Sequence, residues 1–288
     1  MLSYQKKKLL ESFQSFDFKD IYPEFDKSIA LTAAELHKAF IEKELKVFFQ
    51  PIVSLKNRQL YKFEALIRWQ HPKYGFVLPE NFLELAEKMG YDIPLGHFVI
   101  QQAFHHHKKW AEHGFTNIQI SVNLSDNQFF DESLLGILEQ ISQNYDISFL
   151  SLELQEDTLL KGHQKYLSSA KRLKAIGVKI TLDDFGSGIS AIKCLEEGTI
   201  STLKIDRPII QSCSLNPQKG AFIQGMLKMA QTMQIQVVAE GVEKAEHLNF
   251  LKRNHCDEAQ GYYFSPPLSS ADTLEYISRQ KLLGCYAY

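Results

Sequence analysis

From Leu45 onward, short apolar runs of strand length alternate with amphipathic stretches of helical spacing. The apolar runs are Leu45–Leu55, Leu60–Trp69, Ile118–Leu124, Leu150–Leu154, Val178–Leu182, Thr202–Ile205, Val237–Ala239 and Ala259–Phe264. The amphipathic stretches are Pro79–Met89, Phe98–His113, Leu134–Tyr145, Leu159–Ala175, Ala221–Met233 and Lys244–Leu251. Only a short turn at Lys56-Asn57-Arg58 separates the first two runs. That is too short for a crossover, so these strands pair antiparallel as a hairpin. The later runs alternate with helices, which predicts a parallel sheet. Eight strands in 288 residues favour an α/β barrel over an open sheet. A doubly wound sheet is the alternative, but no GxGxxG follows an early strand.

Upstream, residues 1–30 are polar and aromatic, with Phe13, Phe16, Phe18, Tyr22 and Phe25 at no clean period. They are expected to form an N-terminal arm or linker, with the Lys6–Lys8 run a solvated face. Thr32-Ala-Ala-Glu35 has the form of a capping box that starts a helix, so the main domain is placed at residues 31–288.

The chemistry concentrates where the predicted strands end. Glu64 lies within the second strand and Asn123 ends the third. Glu153 and Glu156 close the fourth, and Asp183 and Asp184 the fifth. Lys204 and Asp206 close the sixth, Glu240 and Glu243 the seventh, and Gln260 lies within the eighth. Any one of these could be a helix cap or a surface charge. In a βα barrel, however, the C-terminal ends of the parallel strands converge on one face, and seven strands here bring polar groups to it.

Glu64, Asn123, Glu153, Asp183, Asp184 and Glu240 would form an oxygen-rich, acidic centre without His or Cys, which suits Mg²⁺ or Mn²⁺ rather than zinc. Five carboxylates exceed what one divalent ion needs. Two ions about 3.5–4 Å apart, sharing one carboxylate, would account for them and would act on a phosphodiester. Lys204 then orients the attacking water or stabilises phosphoryl charge. Arg68, on the same strand face as Glu64, can grip a second phosphate. The reaction class is metal-assisted phosphodiester hydrolysis.

Composition narrows the context. A net charge of -2 leaves no basic footprint for duplex nucleic acid, so an anionic ligand must be met by local charge or metal. No stretch approaches the ~18 to 20 apolar residues that span a bilayer, and the basic N-terminus lacks the apolar core of a signal peptide. No membrane partner is expected. Cys194, Cys213, Cys256 and Cys285 lack zinc-type spacing and read as reduced thiols of a cytoplasmic protein. His105-His106-His107, beside Lys108 and Lys109, reads as a wet helix face. Trp69, His71 and Pro72 read as packing and turn residues near the barrel mouth. No Ser/His/Asp or Cys/His nucleophile arrangement is recognisable.

The chain resembles the EAL-domain cyclic di-GMP phosphodiesterases from about Leu36 to its C-terminus. The motifs are Gln50-Pro-Ile, Glu64-Ala-Leu-Ile-Arg68-Trp-Gln-His-Pro72, Val122-Asn-Leu-Ser125, Leu152-Glu-Leu-Gln-Glu156 and Asp183-Asp-Phe-Gly186. Leu203-Lys-Ile-Asp206, Ala239-Glu-Gly-Val-Glu243 and Gln260-Gly-Tyr262 complete the series. A lone Glu-Ala-Leu is common in helices; the whole series in the family's order is specific.

The resemblance implies a modified TIM (βα)8 barrel with one antiparallel strand. It implies hydrolysis of cyclic di-GMP to linear pGpG with two Mg²⁺ or Mn²⁺ ions, within the bacterial second-messenger signalling that governs biofilm and motility. Glu64, Asn123, Glu153 and Asp183 would hold the first metal, and Asp183, Asp184 and Glu240 the second. Lys204 resembles the lysine that contacts the attacking water. Glu243 and Gln260 match positions supporting it, and Glu156 matches the glutamate that braces the loop after the fifth strand. Gln50, Leu66, Arg68, Asp184, Asp206 and Gln260 fall at substrate-contact positions.

Two departures stand out. After Asp-Asp-Phe-Gly the family's usual run is Thr-Gly-Tyr-Ser-Ser-Leu, whereas this chain has Ser187-Gly-Ile-Ser-Ala-Ile192; and Gln155 replaces a common threonine. That loop couples metal binding to dimerisation in the family. A homodimer through the helices after the fifth and sixth strands is therefore implied. The altered loop motivates one rival reading, a non-catalytic cyclic di-GMP receptor. A protein-interaction module that has abandoned the nucleotide is the other, and intact Arg68, Asp184 and Lys204 argue against it. With no cyclase signature or sensor domain before the barrel, a stand-alone enzyme or an excised domain is expected.

Overall fold

The first two apolar runs form the hairpin that their spacing requires. The computed structural model describes residues 31–57, 60–160, 163–186, 195–213 and 216–283. The expected arm at residues 1–30 and the altered loop at 187–192 lie outside the described residues, as do Cys194 and Cys285. Strand β1 (Leu45–Ser54) pairs antiparallel with β2 (Leu60–His71), placing Leu45 opposite Trp69 and Gln50 opposite Glu64. A three-residue strand, β3 (Gly75–Val77), folds back on the end of β2. Then follow β4 (Gln119–Asn123), β5 (Leu150–Gln155), β6 (Lys179–Phe185), β7 (Thr202–Ile205), β8 (Gln236–Ala239) and β9 (Glu258–Gln260). From β2 through β4 to β9 every neighbouring pair is parallel, and β1 closes the circle antiparallel to both β9 and β2. The result is a closed eight-stranded α/β barrel of modified TIM type with one reversed strand, as expected, and β3 is appended to its rim.

Alternation along the strands decides which side of the wall does what. Ile120, Val122, Leu150, Leu152, Leu154, Ile180, Leu182, Leu203 and Ile205 are all buried on the outer face, under the helices. The intervening residues face inward and are polar. Ser121, Ser151, Thr181 and Thr202 line the middle of the barrel, with Ser151 and Thr181 hydrogen-bonded through their hydroxyls at 2.8 Å. At the floor, Lys62 and Glu258 form a buried ion pair at 3.4 Å, and Tyr61 donates to Glu258. The main apolar core is therefore the layer between sheet and helices, leaving the bore free to carry polar groups.

Several boundaries move for local reasons. The helix expected at Phe98–His113 starts at Asp92, because Pro94 falls in its first turn, where no amide bond is lost. The stretch at Pro79–Met89 divides into a 3₁₀ turn, Pro79–Asn81, and a helix, Leu83–Lys88. The one at Leu159–Ala175 becomes two helices, Glu156–Leu160 and His163–Ala175. The eighth strand stops at Gln260 rather than Phe264, since Phe264 turns back to donate its amide to the Gly261 carbonyl at 3.0 Å. The capping box forms as read, with Thr32 and Glu35 each accepting the other's backbone amide. Trp69 is fully buried and donates to Glu44 at 2.8 Å, and His71 accepts the Lys73 amide of the following turn at 3.1 Å. No helix among the described residues is long and apolar enough to cross a membrane. Cys213 and Cys256 are buried, and burial pushes the Cys256 thiol up to about 12.

One expectation is overturned. Of His105-His106-His107 only the first is exposed; the other two turn inward from the helix Asp92–Glu112. His106 packs edge-on to Phe49 and hydrogen-bonds Ser270 at 2.9 Å, while His107 stacks on Phe149 and hydrogen-bonds the Tyr145 hydroxyl at 3.0 Å. The helix turns through about 100° per residue, so three adjacent histidines cannot share one face. Burial, helped by the charges of His105 and Lys109, pulls His106 down to about 4. The unfolded chain takes up a proton near pH 6.5 and the fold resists it to about pH 4, so stability drains away as pH falls through that window. His106→Gln should flatten the fall in denaturant midpoint between pH 6.5 and 4 by up to about 2 kcal/mol, allowing for solvent at the ring edge. An unchanged slope would refute the assignment.

Candidate active site

The open end of the barrel is organised around one amino group. Lys204, third residue of β7, is only 1% exposed. Its Nζ lies 2.6 Å from Glu153 Oε2 and 2.6 Å from Glu240 Oε1. Glu64 Oε2 is at 3.4 Å and Asp183 Oδ1 at 3.5 Å. The rims of β2, β5, β6 and β8 thus each contribute one acid to the same cation. Glu240 follows the last residue of β8 and keeps its pairing, donating its amide to the Ile205 carbonyl at 3.0 Å.

A chain of amides fixes the Glu64 carboxylate. Asn123 Nδ2 donates to Glu64 Oε1 at 2.6 Å, and Gln260 Nε2 donates to Glu64 Oε2 at 2.6 Å. Gln260 Nε2 also reaches Gln50 Oε1 at 3.0 Å, and Gln50 Nε2 donates to the Ser265 carbonyl at 3.2 Å. Gln50 comes from the reversed strand β1, which is why it meets Gln260 and Glu64 from the opposite chain direction.

Asp183 and Asp184 pose a problem that a regular strand cannot solve, because adjacent side chains point to opposite faces. The pairing of β6 with β7 slips between Leu182 and Phe185, and Asp184 takes a φ of 55°. A bulge of this kind re-aims a side chain, and aspartate tolerates the left-handed region better than most residues. Asp184 ends half-buried, its pKa raised by burial and by the charges of Asp183 and Asp206. Both acids therefore act within one electrostatic field.

That field is unbalanced. Burial alone would lower the Lys204 pKa, but Asp183, Glu153, Glu240 and Glu64 hold it well above its ordinary value, so the ammonium persists. One positive charge cannot serve four clustered acids. Burial pushes Glu153 up to about 8 and Glu240 up to about 7; Lys204 opposes both shifts and the neighbouring carboxylates add to them. Glu64 goes the other way. Burial raises it, but Lys204, Gln260 and Asn123 more than compensate and hold it below the usual carboxylate range. Glu153 Oε1 and Asp183 Oδ1 are buried without a hydrogen bond. Among the described residues no three acids, histidines or cysteines form a ready-made metal cage. The Lys204 ammonium sits between the carboxylates instead.

The other predicted residues lie around this cluster. Leu66 and Arg68 continue up the inward face of β2, both half-buried, with Arg68 Nη1 donating to the Ile67 carbonyl at 2.8 Å. Asp206 stands at the N-cap position of the helix Arg207–Gln211, and Glu156 is buried at the start of the helix Glu156–Leu160. Glu243 pairs with Arg207 at 2.8 Å. Arg207 is the residue that sequence reading missed. Its only signal is adjacency to Asp206, because its partner is 36 positions away.

Comparison with known proteins agrees with this architecture. The model of the EAL domain matches residues 33–267. The chain is 32% identical over 245 residues to the cyclic di-GMP phosphodiesterase NbdA of Pseudomonas aeruginosa, covering 84% of this chain and 31% of that one. It is 32% identical over 235 residues to the cyclic di-GMP phosphodiesterase PdeR of Escherichia coli, covering 81% and 35%. Among solved structures, the PaMucR phosphodiesterase in complex with c-di-GMP superposes with a TM-score of 0.79 at 32% identity, covering 83% of this chain and 98% of that one. The chain spans about a third of the length of the curated relatives it matches.

Removing the central cation would leave the buried acids with no counter-charge. Without added metal and with EDTA present, Lys204→Met should lower unfolding stability by about 3 kcal/mol or more. Denaturant titration at pH 7 checks this, and a midpoint equal to wild type would contradict it.

Proposed function

The chain belongs to the EAL-domain family, and on that footing we propose that it hydrolyses one phosphodiester bond of cyclic di-GMP to give linear pGpG. The observation that carries this reading is the surplus of buried carboxylate oxygen around Lys204. The phosphodiesterases of this family depend on metal ions, and the residues present fit such ions. Their donors are all oxygen, their negative charge exceeds what one ammonium can neutralise, and two buried carboxylate oxygens lack a hydrogen bond. Glu64, Asn123, Glu153, Asp183, Asp184 and Glu240 would hold two Mg²⁺ or Mn²⁺ ions, with Asp183 shared. Bound there, such ions supply Lewis-acid stabilisation of phosphoryl charge and lower the pKa of water.

The chain's own groups have separable tasks. Lys204 carries a persistent positive charge at the centre of the acids and can orient the attacking water or stabilise charge on the phosphoryl oxygens. Asn123 and Gln260 hold the Glu64 carboxylate in one orientation, and Gln50 buttresses Gln260. Arg68, with Leu66 below it on β2, is suited to a second phosphate, for which a guanidinium fork gives bidentate contact. Asp184, Asp206 and Gln260 would contact the ligand, Glu243 would support the water network from the rim, and Glu156 would brace the loop after β6, which lies outside the described residues.

Purified protein with Mg²⁺ or Mn²⁺ should convert cyclic di-GMP to pGpG, and EDTA should stop it. Glu64→Ala should reduce kcat by about a hundredfold or more. Chromatographic separation of the two nucleotides is the readout. Tight binding of cyclic di-GMP with no pGpG at high protein concentration would sink the enzyme reading in favour of a receptor.

A further inference from the structure

Glu243 pairs not with Lys204, as Glu64, Glu153, Asp183 and Glu240 do, but with Arg207, at 2.8 Å between Oε1 and Nη2. Arg207 opens the short helix Arg207–Gln211, ahead of Pro208. A cation in a first helical turn opposes the helix dipole, and Asp206 at the N-cap position already supplies the charge that the helix start favours. The helix does not account for the arginine. The segment across from it does.

That segment is Glu240-Gly241-Val242-Glu243, which leaves β8 for the rim. Gly241 has a φ of +62°, and a Cβ there would lie 2.2 Å from Arg207 Cγ and 2.6 Å from Arg207 Cβ. The stem of the arginine occupies the volume that any side chain at 241 would need. Gly261 seals the other side, since a Cβ there would lie 2.2 Å from the Val242 carbonyl oxygen. Val242 donates its amide to the Gln260 carbonyl at 3.0 Å and accepts that of Tyr263 at 2.9 Å. The segment is clamped between the Arg207 stem and the backbone after β9, with the Glu240 carboxylate at one end and the Glu243–Arg207 pair at the other.

We propose that Arg207 is a positioning residue for the active site. Its stem against Gly241 and its ion pair with Glu243 hold the Glu240–Glu243 segment so that Glu240 faces Lys204 and Glu243 stays at the rim. Arg207 touches neither the Lys204 ammonium nor the acids around it; it acts through Glu243 and the backbone. An exposed pair of this kind adds little to global stability, so its effect belongs in the site and not in the unfolding midpoint. The assignment rests on the phosphodiesterase reading above.

The test is a double-mutant cycle of Arg207→Ala and Glu243→Gln, with Arg207→Lys as the conservative variant. It is read first as Mn²⁺ binding to substrate-free protein by calorimetry, then as kcat and KM for pGpG formation. Arg207→Ala should weaken Mn²⁺ binding and lower kcat, each by about tenfold, as expected when a support behind a metal ligand is lost. KM and the unfolding midpoint should change little. Arg207→Lys should recover part of the loss, and the two single effects should be markedly non-additive. Wild-type affinity and kcat in Arg207→Ala would overturn the assignment. So would additive effects, or a kcat loss tracked by an equal loss of stability. Wild-type protein that neither binds Mn²⁺ nor forms pGpG overturns the phosphodiesterase reading and takes the role of Arg207 with it. Wild type that does both, beside an unimpaired Arg207→Ala, overturns only the latter.

Discussion

One buried ammonium facing four carboxylates, Glu64 and Glu153 buried and Asp183 and Glu240 half-buried, is the arrangement on which the rest of the structure depends. Taking these charges out of water is costly, and Lys204 repays the cost only in part. The surplus shows in the acids themselves, with Glu153 and Glu240 pushed toward neutrality while Glu64 stays ionised on its amide bonds. Such a cluster survives only inside a scaffold that has secured its stability elsewhere. Here that is the apolar layer between the outer wall of the barrel and its helices. The bore is lined with serine and threonine hydroxyls and adds little of the apolar burial that holds the fold together.

The geometry follows from three departures from a regular barrel. The reversed β1 brings Gln50 beside Gln260 and Glu64. The slip in β6, with Asp184 at positive φ, brings two successive acids into one field. The close approach of Gly241 and Gly261 to their neighbours lets the segment after β8 lie flat under Arg207. Strain of this sort is tolerated where the surrounding structure over-determines it, which is the setting in which functional sites are found.

Much of this was legible in the sequence, because strand ends and period-2 alternation are local signals. The Thr202–Ile205 strand, the Thr32 capping box and the gathering of Glu64, Asn123, Glu153, Asp183, Lys204, Glu240 and Gln260 at one rim all emerged as read. What escaped was set by tertiary context. Gly75–Val77 is too short to carry a strand pattern, and it pairs only because β2 overshoots the barrel. His106 and His107 have polar neighbours in sequence but aromatic ones in space. Arg207 looks like any surface arginine until the segment it pins is seen beside it.

The reversal of β1 also decides by which door the polypeptide enters. In an ordinary βα barrel the first strand starts at the floor, far from the chemistry. Here Leu45 lies opposite Trp69, above Glu64, so the chain arrives at the mouth and descends toward Ser54. The helix Ala33–Ile41 is moored there too, with Glu35 3.7 Å from His71 and Phe40 stacked on Tyr91. Ala33 itself thus stands at the open end of the barrel, where the acids around Lys204 gather. The Glu35–His71 contact ties that helix to the end of β2, the strand that carries Glu64 and Arg68.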